Sequence, residues 1–307
     1  MASAREDAAP FTREEETRLH LLQNRAEHSG ALTEAESLEL AHLKRRYHTF
    51  IEDGECRLRD GAPLSTRKHI RLACPPTDND SDDAGVTAAF ARAGRAAYFW
   101  GSLVATAVPG YVGRVAGVTP DFWHWNWVAD RLVLGAIPVM TQVGSSGNHL
   151  LQLKEQLDER HETLGLVVAC LEEEELDGYG MNVIQFAKEA DWRELINPNI
   201  GFLHLPMADT TASAPLPAVA MAVMKIEECI KQRHQTVYVH CKAGKGRSWM
   251  VAMCYLTTCG GMAFVEAAEA IQDKRVQVNP SAAQKQFTEQ FPFRFAQWRS
   301  LHDKPLS

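Results

Sequence analysis

Residues 236–256 constrain the fold more than any other stretch. An apolar run, TVYVH, enters the loop CKAGKGRS and leaves it as SWMVAMCYL, which is apolar on every side. A helix without a polar face is central and buried, so this one has a sheet on one side and further structure on the other. Three more apolar runs, LVLGAI (132–137), LVVAC (166–170) and GFLHL (201–205), alternate with helical stretches. That alternation predicts an α/β fold, a central and mostly parallel sheet flanked by helices. Pro217 sits where a helix can start, and Val219, Val223, Ile226 and Ile230 then mark its sheet-facing side. A later helix follows Gly260 and Gly261, with Phe264, Ala268 and Ile271 on one face.

The loop from Cys241 to Arg247 has five residues between the thiol and the guanidinium. That spacing lets the backbone of Lys242, Ala243, Gly244, Lys245 and Gly246 wrap a semicircle with its N–H groups inward, the form of an anion nest. The glycines permit the unusual φ values and the close approach. The following helix adds its N-terminal partial charge, and Arg247 can hold two phosphate oxygens at once. The same field favours the thiolate of Cys241, since such sites lower a thiol from about 8.5 to roughly 3.5–7.5. The expected chemistry is in-line attack on phosphorus and a covalent phosphocysteine, with neither metal nor cofactor. A nucleotide-binding P-loop is excluded by spacing. Lys245 is followed by neither Ser nor Thr, and the position five residues before Gly244 is Val239.

Ester cleavage also requires an acid for the leaving alkoxide. Asp209, in LPMADTTASAP directly after the GFLHL strand, lies 32 residues before Cys241 at the sheet edge where α/β proteins bind ligands. The Ser248 hydroxyl is placed to hydrogen-bond the sulfur and help it leave. His240 reads as an orienting group behind the loop rather than a proton shuttle. Lys242 and Lys245 are expected on the pocket rim, where they favour a substrate with negative charge beyond the scissile phosphate.

Residues 1–52 are expected to form a helical hairpin, with Thr33 to Glu36 as a capping box and Leu19, Leu22, Leu32, Leu38 and Leu43 as its stripe. Residues 53–85, including PPTDNDSDDAG, read as an acidic linker. Residues 86–118 contain eighteen uncharged residues between Arg95 and Arg114, which is about the length at which a membrane segment is suspected. Pro109 and three glycines weaken a straight span, so either an interfacial anchor or a buried helix fits. The following FWHWNW (122–127) reads as an aromatic packing cluster. The catalytic domain is expected over 119–300. The net charge of −7 opposes nucleic-acid binding. Seven cysteines without a C-x-x-C pair suggest neither a disulfide framework nor a zinc site, and Cys170, Cys229 and Cys254 read as inert buried thiols. The acidic start carries no evident targeting segment.

These residues resemble the cysteine-dependent protein tyrosine phosphatase superfamily, in its dual-specificity branch. The succession FWHWNWVADRLVLGAIPV, LVVACLEEEE, LPMAD and YVHCKAGKGRS is similar to the mitochondrial phosphatases that act on phosphatidylglycerophosphate. The resemblance implies a dual-specificity phosphatase fold and a lipid substrate. It also implies association with the mitochondrial inner membrane, a peripheral cytoplasmic location being the alternative. Cys241 would be nucleophile, Arg247 phosphate clamp and Asp209 general acid. Glu173 and Glu174 would match a Glu-Glu pair, and Gln284 a glutamine near the water-attack step. The loop also resembles that of phosphatase and tensin homologue lipid phosphatases, which keeps a phosphoinositide open as substrate beside a phosphoprotein. The partners implied are an anionic phospholipid and a membrane surface. What the stripe of the N-terminal helices packs against stays open between the main domain, a protein partner and a second copy.

Overall fold

The computed structural model describes residues 92–105, 124–140, 148–181 and 184–302, the pair 70–71, and separate residues between 18 and 43. The chain divides into two units, residues 1–62 with 73–81, and residues 63–72 with 82–307.

In the first unit the capping box is present. Thr33 N donates to Glu36 Oε2 at 3.0 Å, and Glu36 N donates to Thr33 Oγ1 at 3.3 Å. Leu22 and Leu43 are buried, but Leu38 is 66% exposed and lies off the stripe. Leu19 and Leu32 fall outside the described residues. Arg18 and Glu39 form an exposed ion pair at 2.9 Å.

The second unit is built on a six-stranded sheet. Its strands are β1 (Ile70–Arg71), β2 (Trp125–Ala129), β3 (Leu132–Ala136), β4 (Leu164–Ala169), β5 (Gly201–His204) and β6 (Thr236–Cys241), in spatial order β1-β5-β4-β6-β3-β2. Every pairing is parallel except β2 with β3. β3 to β6 are the four apolar runs seen in the sequence, and they are buried throughout because helices cover both faces. Two strands were not foreseen. β1 lies inside the expected linker, and β2 occupies the aromatic cluster, where Trp125 is core and Trp127 Nε1 donates to Glu162 at 2.9 Å. Arg131, with φ of 53°, closes the β2–β3 turn.

Helices α2 (His149–Glu159) and α4 (Glu189–Leu195) put Leu150, Leu153, Leu157 and Trp192 on one face of the sheet, against Val133, Val167 and Tyr238. Helices α5 (Leu216–Glu227), α6 (Arg247–Thr258) and α8 (Ala282–His302) pack together elsewhere. In α6 every residue from Arg247 to Leu256 is buried, as its all-round apolar character requires. α7 (Phe264–Lys274) buries Ala267 with Ile271, so its inner face is one position away from the expected Ala268.

The parallel order matters for the site. Loops leaving β4, β5 and β6 all emerge at one edge of the sheet. Residues 92–105 form a helix, α1, that closes over this edge. Phe99 and Leu103 pack with Ile137, Leu171 and Phe186, and Trp100 Nε1 donates to the Gly178 carbonyl at 3.1 Å. The described part of the uncharged stretch, residues 96–105, therefore supplies core to its own domain along one face. Tyr98 and Val104 point outward, 55% and 51% exposed. Among the described residues, no helix is long and apolar enough to cross a membrane.

Candidate active site

Cys241 ends β6 and Arg247 begins α6, so the loop between them joins the central strand to the buried helix. Gly244 has φ of 67°, and a Cβ there would lie 2.5 Å from the Gly135 backbone. A Cβ on Gly246 would meet Gln284 Oε1 at 2.5 Å. Glycine is required at Gly244, where backbone lies in the way and φ is left-handed, whereas at Gly246 the neighbour is the end of the Gln284 side chain.

The sulfur of Cys241 is buried and accepts from Ser248 Oγ at 3.3 Å. Burial pushes its pKa up, but the Arg247 guanidinium, the Ser248 hydroxyl and the N–H groups of Ser248 and Lys245 outweigh it, and the net shift is downward. The remaining described thiols contrast with it. Burial raises Cys170 and Cys254 well above the ordinary range, Cys229 to about 12 and Cys259 to about 11. Position, not burial, sets the Cys241 sulfur apart from the other four.

Arg247 is held from two loops. Its Nη1 and Nη2 meet the two Glu175 oxygens, the latter at 3.1 Å, and Nη1 also donates to the Met207 carbonyl at 2.8 Å. Burial lowers the guanidinium's pKa, yet the Glu175 carboxylate overrides this and raises it. Glu175 comes from α3 (Glu173–Leu176), just after β4, where its side chain also accepts from Glu172 N at 3.0 Å. The residue that aims the clamp is thus Glu175. Of the expected pair, Glu174 binds Arg92 at 3.0 Å and Arg95 at 3.4 Å, fastening α1 to this loop. Only helical phase separates three adjacent glutamates, so composition could not pick the right one.

Asp209 does reach the site. Its Oδ2 lies 2.5 Å from Lys242 Nζ and its Oδ1 3.5 Å from Arg247 Nε. Burial raises its pKa, but Arg247 and Lys242 bring it below the usual carboxylate value. Lys242 is consequently not a rim charge. Its side chain is 5% exposed, turned onto Asp209 and stacked 4.7 Å from the Tyr98 ring centroid. Lys245 is half-buried, and burial with the Arg275 charge lowers its pKa.

The His240 ring is buried and, chiefly through burial, its pKa falls to about 3. Burial therefore favours its neutral form. Gln284 is buried at the loop's flank, with Nε2 donating to the Thr211 carbonyl at 3.0 Å. It therefore links the Asp209 loop to α8 beside Gly246.

A buried thiol whose pKa is shifted down, a guanidinium held by Glu175 and a carboxylate on a neighbouring loop suit phosphoester chemistry. Residues 166–291 match the dual specificity phosphatase, catalytic domain family. That segment, from β4 into α8, is similar to a dual-specificity-type cysteine phosphatase domain. β2, β3 and α1 precede the matched residues. The chain is 40% identical over 57 residues to phosphatidylglycerophosphate phosphatase PTPMT2 of Arabidopsis thaliana, covering 19% of this chain and 25% of that protein. It is 28% identical over 104 residues to dual specificity protein phosphatase 15 of Homo sapiens, covering 34% and 35%. The chain thus spans about a quarter to a third of these relatives' lengths. Among solved structures, PTPMT1 in complex with PI(5)P is similar at 21% identity and a TM-score of 0.45, over 58% of this chain and 99% of that one. Human DUSP28 is similar at 17% identity and a TM-score of 0.42, over 57% and 96%.

Proposed function

We propose that the protein is a lipid phosphatase that hydrolyses phosphatidylglycerophosphate to phosphatidylglycerol through a phosphocysteine at Cys241, working at the mitochondrial inner membrane. The observation that carries this reading is the position of α1. It places the exposed Tyr98 ring over the buried Lys242 ammonium, beside the phosphate loop. An exposed aromatic next to a cation suits a substrate whose phosphate enters the protein while its glyceride stays at the lipid interface. The partial identity with PTPMT2 supports the same substrate.

The substrate phosphate sits on the loop N–H groups and the free edge of Arg247. The Cys241 thiolate attacks phosphorus in line, the phosphorus–oxygen bond breaks, and Asp209 protonates the departing alkoxide. Asp209 then takes a proton from water as that water attacks phosphorus. The sulfur–phosphorus bond breaks, and Ser248 steadies the released thiolate at 3.3 Å. In the resting site Asp209 is held ionised by Lys242 and Arg247. A phosphate dianion competes for both cations, which raises the Asp209 pKa and readies it as an acid. Neither step requires a metal to balance.

The test is phosphate release from vesicles containing phosphatidylglycerophosphate, single phosphoinositides or a soluble phosphotyrosyl peptide, compared side by side. Phosphatidylglycerophosphate is expected to turn over fastest, and Tyr98→Ala to slow vesicle substrates more than a soluble aryl phosphate. Preference for a phosphoinositide would move the assignment to that lipid. Preference for the peptide would overturn the lipid reading.

A further inference from the structure

The outward carbonyls of the phosphate loop are all accounted for, and two of them converge on one side chain outside the loop. Lys242 O accepts from Ile137 N at 3.3 Å, Lys245 O from Asn279 N at 3.0 Å and Gly246 O from Met250 N at 2.9 Å. Gly244 O accepts from Arg275 Nε at 2.8 Å and Ala243 O from Arg275 Nη2 at 3.2 Å. Arg275, just after α7, is 1% exposed. Its fork is itself fixed on β2, where Nη1 donates to Asn126 Oδ1 at 2.8 Å.

The peptide plane converts this contact into a functional one. Gly244 C=O and Lys245 N–H belong to a single rigid amide and point in opposite directions. Arg275 holds the carbonyl end, and the N–H end is one of those turned toward the Cys241 sulfur. One plane earlier, Ala243 C=O and Gly244 N–H share an amide in the same way, with Arg275 Nη2 on the carbonyl end. We propose that Arg275 is the positioning residue of the phosphate loop: its guanidinium fork holds two consecutive peptide planes with their N–H groups facing the sulfur and the bound oxyanion.

Arg275 touches neither substrate nor sulfur; beyond the pull of its charge on Cys241, its action passes through Ala243 and Gly244. A lysine is a poor replacement, because one ammonium cannot serve both carbonyls and Asn126 in a planar fork. The inference rests on the phosphatase reading but needs no knowledge of the lipid substrate.

The experiment uses full-length protein and two probes, iodoacetate alkylation of Cys241 against pH and binding of orthovanadate. In Arg275→Met, and less strongly in Arg275→Lys, the alkylation midpoint is expected to rise by about one pH unit and vanadate binding to weaken about tenfold. A loss of melting temperature with both readouts unchanged would mean a structural role only and would overturn the proposal. Should Arg275→Met fail to fold, Asn126→Ala decides, since it loosens the fork while leaving Arg275 in place. A smaller shift in the same direction supports the proposal, and an unchanged midpoint and affinity overturn it. An ordinary thiol midpoint in the unsubstituted protein would instead sink the phosphatase reading itself.

Discussion

Asp209 and Lys242 meet carboxylate to ammonium at 2.5 Å, so the acid proposed for leaving-group protonation is ionised until a phosphate claims its partners. Removing that acid should matter in proportion to how badly the leaving group needs a proton. Asp209→Asn is expected to lower kcat by about a hundredfold or more on an alkyl phosphate. On p-nitrophenyl phosphate the loss should be much smaller. Equal losses on both substrates would remove Asp209 from the acid role.

Glu175 fixes Arg247 by contacts to both of its oxygens, in a pair that is almost wholly buried. Glu175→Ala leaves an uncompensated buried guanidinium, expected to cost about 3–5 kcal/mol in urea denaturation. Vanadate affinity should fall with it, because the clamp is no longer aimed. A folded variant of unchanged stability would show that the pair contributes nothing.

Acid should destabilise the domain through His240. Its pKa falls from 6.5 in the ordinary state to about 3 when folded. Between those values the unfolded chain binds the extra proton, so stability is fullest above pH 6.5 and declines as pH falls. The slope from this residue is up to about 1.4 kcal/mol per pH unit. In His240→Asn the loss of stability between pH 6 and 4, about two units, should be shallower than in the parent protein. An identical slope would show that His240 takes up its proton without unfolding.

Phe99 lies in the cluster that binds α1 to the sheet edge, and it is 1% exposed. Phe99→Ala is expected to cost about 3–5 kcal/mol. Activity on vesicles should drop as well, since α1 carries Tyr98 against Lys242. If stability and vesicle activity both stay within error of the parent protein, α1 is not part of the catalytic unit.

Much of this arrangement was legible in the sequence wherever a residue's neighbours along the chain decide its fate. β3 to β6 are apolar runs, and the Cys241 loop is a local device whose spacing states its geometry. Asp209 was found because a parallel sheet delivers successive loops to one edge. What escaped depends on distant contacts. β2 is rich in tryptophan and polar at Asn126, so its pairing with β3 left little pattern. Glu175 is told from Glu173 and Glu174 only by the phase of a four-residue helix. Lys242 turned inward because Asp209 and Tyr98 offered it partners from elsewhere in the chain. Arg275 stands 31 residues after Gly244, and nothing local marks it as a brace. The uncharged stretch beginning at Ala96 suited lipid and core equally, and the packing of Phe99 and Leu103 assigns one face to the core.

The central claim is that Cys241 becomes phosphorylated during turnover. Rapid acid quenching of the Asp209→Asn variant with substrate, followed by peptide mass spectrometry, tests it directly. A phosphate adduct on the Cys241 peptide is expected to form within the first turnover and to be absent from Cys241→Ser. Sustained turnover with an unmodified Cys241, or an adduct on a different residue, would contradict it.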